Sequence, residues 1–85
     1  MMPIKEVRKM LEQAFPGDTI HLTSPMNDDH HFECVVVSGK FDGKSMVEQH
    51  QLVYAALGDA MAEAVHALAL RTYTPGQWEK VRGQA

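Results

Sequence analysis

Cysteine is nearly missing from this chain. One residue, Cys34, stands among 85, which excludes an internal disulfide framework and any zinc or iron–sulfur site built from several thiolates of one chain. A single thiol fits a reducing compartment, and a cytoplasmic protein is the expectation. No apolar run approaches the length of a membrane span, and Met1-Met2-Pro3-Ile4-Lys5-Glu6 lacks the apolar stretch of a secretory signal. Positive charge is not in excess either: the net charge is −3, so no global field draws in nucleic acid or an anionic membrane. Internal repeats, linkers and low-complexity segments are absent. The length leaves no room for a second core, so one domain over 1–85 is expected, burying roughly 60–65% of its unfolded surface.

What is present is ordinary for a globular domain. Hydrophobic residues make up 45% and charged residues 22%, which argues against disorder. Ile4, Val7, Leu11 and Ala14 recur at helical spacing with Met10 alongside, Pro3 suits a first helical position, and Pro16-Gly17 stops the helix. Thr19-Ile20-His21-Leu22-Thr23 alternates with period two, placing Ile20 and Leu22 inward and His21 outward. After the turn-rich Ser24-Pro25-Met26-Asn27-Asp28-Asp29, residues His31 to Ser38 read as a second strand. Phe32, Cys34 and Val36 share one face of it; His31, Glu33, Val35 and Val37 share the other. The short connection favours an antiparallel hairpin.

Gly39 to Lys44 reads as a loop, and Ser45-Met46-Val47-Glu48 matches a capping box. The following helix puts Val47, His50, Val53, Tyr54 and Leu57 on one stripe. Gly58-Asp59 breaks it, and Ala60 to Ala64 supplies another helical turn or two. A third strand runs from about Val65 to Tyr73, and Thr74-Pro75-Gly76-Gln77 opens a terminal helix carrying Trp78. The order is α-β-β-α-α-β-α: an α+β fold with helices packed on a three-stranded sheet.

His66 is the anomaly in that pattern. It sits in Val65-His66-Ala67-Leu68-Ala69-Leu70, and a buried ring nitrogen must find a hydrogen bond, a proton partner or a metal. His30-His31, before the second strand, is a second imidazole-rich spot. If the fold brings the two together, the chain offers half of a metal site. Taken alone, His66 is more often a satisfied structural histidine, and His30 and His31 are solvated turn residues.

Three segments together resemble the BolA family: His30-His31-Phe32-Glu33-Cys34-Val35-Val36-Val37-Ser38-Gly39-Lys40-Phe41-Asp42-Gly43-Lys44, then Glu48-Gln49-His50-Gln51-Leu52-Val53-Tyr54-Ala55-Ala56-Leu57, then Val65-His66-Ala67-Leu68-Ala69-Leu70-Arg71-Thr72-Tyr73-Thr74-Pro75-Gly76-Gln77-Trp78. The resemblance implies an αββααβ fold related to the type II KH domain. It also implies partnership with a monothiol glutaredoxin, a [2Fe–2S] cluster bridging the two proteins. In that picture the glutaredoxin cysteine and a glutathione thiol hold one iron. His66 and a loop histidine hold the other. His30 and His31 are the loop candidates, with His30 favoured because His31 already lies at the strand start. Two imidazoles on one iron raise the reduction potential relative to all-thiolate clusters. Imidazole must be deprotonated to ligate, so the cluster should detach on acidification. Asp28, Asp29 or a backbone carbonyl is placed in sequence to orient such a ligand. A mononuclear metal such as zinc on the same histidines is also open.

The remaining histidines and Cys34 read as structural. His50 lies on the apolar stripe and suits packing or a helix contact, His21 faces out and is outside the site, and Cys34 reads as a small buried hydrophobe. Tyr73 and Trp78 suit the core or a partner-facing surface.

The rival function is a KH-like nucleic-acid-binding transcriptional regulator. KH domains clamp the backbone with Gly-x-x-Gly, whereas Gly39 and Gly43 here are separated by three residues, and Gln51 stands where members of the family often have Arg. Lys40, Lys44, Arg71, Lys80 and Arg82 would have to form a local patch for weak DNA binding. No nucleophile–base–orienter set suggests an enzyme. Alone, the chain is expected to be a monomer or weak homodimer with no membrane association.

Overall fold

Hydrophobic spacing at the N-terminus produces the first element, α1, over Ile4–Ala14, with Val7 and Leu11 fully buried. Pro3 stands one position earlier than the sequence suggests: it is the N-cap, in extended conformation, and its carbonyl accepts from Glu6 and Val7. The helix ends where Phe15 turns out of helical geometry and Gly17 takes a φ of +77° that side-chain-bearing residues avoid. The computed structural model describes residues 3–27, 31–60 and 67–83.

β1 (Thr19–Thr23) pairs antiparallel with β2 (His31–Val37), in a register running from Thr19 opposite Val37 to Thr23 opposite Glu33. β3 (Ala67–Tyr73) lies on the other side of β2 and parallel to it, from His31 opposite Ala67 to Val37 opposite Tyr73. The strand order is β1-β2-β3. Parallel neighbours need a long crossover, and the chain between β2 and β3 contains α2 (Met46–Leu57). The expected helical turns over Ala60 to Ala64, and the expected first residues of β3 at Val65 and His66, lie outside the described residues apart from Ala60.

Because side chains alternate along a strand, one sheet face gathers the core. Leu22, Phe32, Cys34 and Val36 meet Val7 and Leu11 of α1 and Val53 and Leu57 of α2, while Phe15 and Phe41 close the end with ring centroids 5.6 Å apart. Phe41 is delivered by a 3-10 turn over Gly39–Phe41, capped by the Ser38 hydroxyl, which accepts from the Lys40 amide. The Lys40 ammonium donates to the Ala14 carbonyl at 2.7 Å and lies 5.5 Å from the Phe15 ring centre, so it satisfies the carbonyl end of α1.

Both capping boxes form: Ser45 with Glu48, and Thr74 with Gln77 at the head of α3 (Pro75–Arg82). The stripe expected on α2 is partly wrong. Val47 is 65% exposed and Tyr54 39%, while Gln49 is buried beside Val53 and Leu57. Gln49 tolerates burial because its amide donates to the Lys44 carbonyl and its oxygen accepts from the Thr72 hydroxyl. The outer sheet face carries rows such as His21–Val35–Arg71 and Thr19–Val37–Tyr73. α3 lays Trp78 over it, 5.8 Å from the His21 ring and 5.4 Å from the Tyr73 ring.

Candidate metal centre at the strand starts

The register of β2 against β3 decides where a shared site lies. His31 is the first residue of β2, Ala67 the first of β3, and the two are Cα partners. Two parallel strands therefore start level, at one end of the sheet. His31 is half-buried on the outer face, two residues from the exposed Glu33. The Ser24 hydroxyl donates to the His31 carbonyl oxygen at 3.3 Å, tying the exit from β1 to the entry of β2. Sequence reasoning missed Ser24; a hydroxyl residue just after a strand is a weak signal for such a tie.

His30 and His66 lie outside the described residues. In the sequence they directly precede His31 and Ala67. Of the three histidines expected as ligands, the described residues include His31. Among the described residues no three His, Cys, Asp or Glu side chains converge where a metal ion would sit.

The donor chemistry fits imidazole and not thiolate. Cys34 points to the core face with Phe32 and Val36, opposite to His31, and is 2% exposed. Burial pushes its thiol up to about 11, against a smaller lowering by the Arg8 guanidinium. His50 is half-buried on α2 and meets Tyr54 edge-on at 6.1 Å, a contact role as expected from its position. His21 lies against Trp78 on the outer face.

The cations considered for a nucleic-acid patch do not share one surface. Lys40 is committed to the end of α1. Arg71 lines a depression on the outer sheet face with His21, while Lys44 and Lys80 line a groove between α2 and α3. Arg82 pairs with Glu79 at 3.3 Å. Gly39 and Gly43 bracket the 3-10 turn that seats Phe41, with Gly43 at a φ of +76°.

A three-stranded mixed sheet with α1 and α2 on one face and Trp78 of α3 on the other defines an α+β domain of a recognisable class. A family model described as BolA-like protein matches residues 12–77. BolA-like protein 1 of Bos taurus is 38% identical over 81 residues, 87% of this chain and 60% of that protein. The DNA-binding transcriptional regulator BolA of Escherichia coli is 40% identical over 55 residues, 65% of this chain and 52% of that protein. This chain therefore spans a little over half the length of these two relatives. Among solved structures, a BolA protein homologue from Coxiella burnetii superposes with a TM-score of 0.76 at 35% identity, covering 93% of this chain and 99% of the other. The chain belongs to the BolA-like family. No described helix is long and apolar enough to cross a membrane.

Proposed function

We propose that this chain is an adaptor that binds a monothiol glutaredoxin and shares a [2Fe–2S] cluster with it, His66 and a loop histidine, His30 or His31, facing one iron. The observation that carries this reading is the level start of β2 and β3, His31 opposite Ala67. It supports the reading because, in the sequence, His30-His31 and His66 run directly into the two strands that start level. A cluster held there supplies redox chemistry at a potential raised by imidazole ligation. The chain's own part is to hold neutral imidazoles on strand ends, with Ser24 fixing the entry to β2. Four ligands are needed, and the one cysteine of this chain is buried in the core, so the thiolates must come from the partner and glutathione. The fitting roles are cluster trafficking and sensing of iron or redox state.

A second reading, transcriptional regulation through DNA, is favoured by the name of the Escherichia coli relative. Against it stand the net charge of −3 and the dispersal of the cations over separate surfaces. Co-expression with a monothiol glutaredoxin tests the first reading. A coloured complex that co-purifies and loses its visible absorbance when glutathione is withheld supports it. Separate elution of two colourless proteins contradicts it. A salt-dependent shift of duplex DNA at physiological ionic strength supports the second.

A further inference from the structure

At the opposite end of the sheet from the strand starts lies a groove of about 380 Å³, floored by Gln49 and Thr72 and walled by Met46 of α2 and Val81 of α3. Thr72 is five residues along β3 from Ala67, roughly 16 Å at the rise of a strand. Met46 is 71% exposed and Val81 41%, both large apolar side chains in open contact with water. Lys44 and Lys80 stand on the rim, and among the described residues no acidic one lines the groove. The carboxylates nearest in sequence are Asp42, Glu48 and Glu79, none of which lines the groove: Glu48 accepts from the Ser45 amide and also feels the Lys44 charge, and Glu79 pairs with Arg82. Neither lysine forms an ion pair among the described residues. An acidic protein thus carries one groove of reversed sign with apolar walls.

We propose that this groove docks an acidic segment of a partner protein, an aliphatic side chain seated between Met46 and Val81 and flanking carboxylates facing Lys44 and Lys80. Charge complementarity selects the sign of the segment, and the exposed Met46 and Val81 select an apolar anchor within it. Met suits such a role because its flexible thioether fills irregular space. A nucleic-acid strand fits less well: polyphosphate binding needs a row of cations, whereas Arg71 lines a different depression, the Lys40 ammonium is bonded to the Ala14 carbonyl and Arg82 is paired. The groove and the strand starts are separate, so the cluster-bearing partner and this second partner are held at opposite ends of one sheet.

Selection of a random peptide library on the folded full chain tests this. The expected pool is enriched in Asp and Glu around one aliphatic residue. A labelled member of it, read by fluorescence anisotropy, binds the Lys44→Glu/Lys80→Glu protein at least about tenfold more weakly than the parent. Lys44→Arg/Lys80→Arg retains binding, and Met46→Ala weakens it. Far-UV circular dichroism confirms that each variant is folded. The His66→Ala protein binds the peptide unchanged, so failure of the docking groove and failure of the cluster reading are separately visible. A pool without acidic bias, an affinity indifferent to the charge reversal, or displacement of the peptide by a single-stranded oligonucleotide at equal concentration overturns the proposal.

Discussion

The hydroxyl of Thr72 donates to Oε1 of Gln49 across 2.7 Å, joining β3 to α2 through two buried side chains. Gln49 in turn donates to the Lys44 carbonyl, so one amide fixes the helix start against the strand that leads into α3. Thr72→Val leaves the Gln49 oxygen buried without its partner. The expected cost is about 1–3 kcal/mol, read as a lower urea midpoint. Gln49→Leu combined with Thr72→Val is expected to cost less than the sum of the two single changes, because the double variant strands no polar atom at this pair.

That pair also shows where sequence reading stops. The periodicity of α2 suggests Val47 and Tyr54 as inward-facing, yet both are exposed and Gln49 is buried. A hydrophobicity pattern counts Gln as polar and has no view of the Lys44 carbonyl and Thr72 hydroxyl that make its burial tolerable. The β1–β2 hairpin was legible because alternation alone separates Phe32, Cys34 and Val36 from the outer face, and the structure buries all three. Both capping boxes were legible because Ser or Thr and Glu or Gln at fixed spacing act locally. The histidine spots at 30–31 and 66 were legible as residues. The level start of β2 and β3 was not, since the parallel register of His31 with Ala67 depends on a crossover between distant segments.

Cys34 should be chemically quiet in the folded protein. With its thiol pushed up to about 11 by burial, only about one molecule in ten thousand carries the thiolate at pH 7. Iodoacetamide is expected to label it only on unfolding, so the labelling rate should follow global opening. The native protein holds this proton more tightly than the unfolded chain does, so stability is lost as pH rises from about 9 toward 11. The rise in the Cys34 value corresponds to on the order of 2–3 kcal/mol. The difference between parent and Cys34→Ala in urea midpoints from pH 8 to 11 isolates this group from the lysines and tyrosines.

The caps make a separable contribution. Ser45→Ala removes the hydroxyl that accepts from the Glu48 amide, and Thr74→Ala does the same at α3; each is expected to cost about 0.5–2 kcal/mol. The Glu48 carboxyl is held below its ordinary value chiefly by the hydrogen bond it accepts from the Ser45 amide. Its stabilising effect is therefore present above the ordinary carboxylate value and lost as pH falls through the lowered one. The advantage of the parent over Glu48→Ala in urea midpoint should shrink between pH 6 and pH 3.

Lys40 is tied to the carbonyl end of α1. Lys40→Ala removes its hydrogen bond to the Ala14 carbonyl and its position over Phe15, with an expected cost of about 1 kcal/mol. Its retention on a heparin or DNA column should match that of the parent once the difference of one charge is matched by an exposed Lys9→Ala control. Retention falling well beyond that control would restore Lys40 to a nucleic-acid surface.

Histidine ligation of a shared cluster is read from visible circular dichroism of the complex formed on co-expression with a monothiol glutaredoxin. Cluster bands are expected in the parent, lost or shifted in His66→Ala while the two proteins still co-elute, with a comparable change in either His30→Ala or His31→Ala. Spectra from all three variants that superimpose on the parent would contradict histidine ligation.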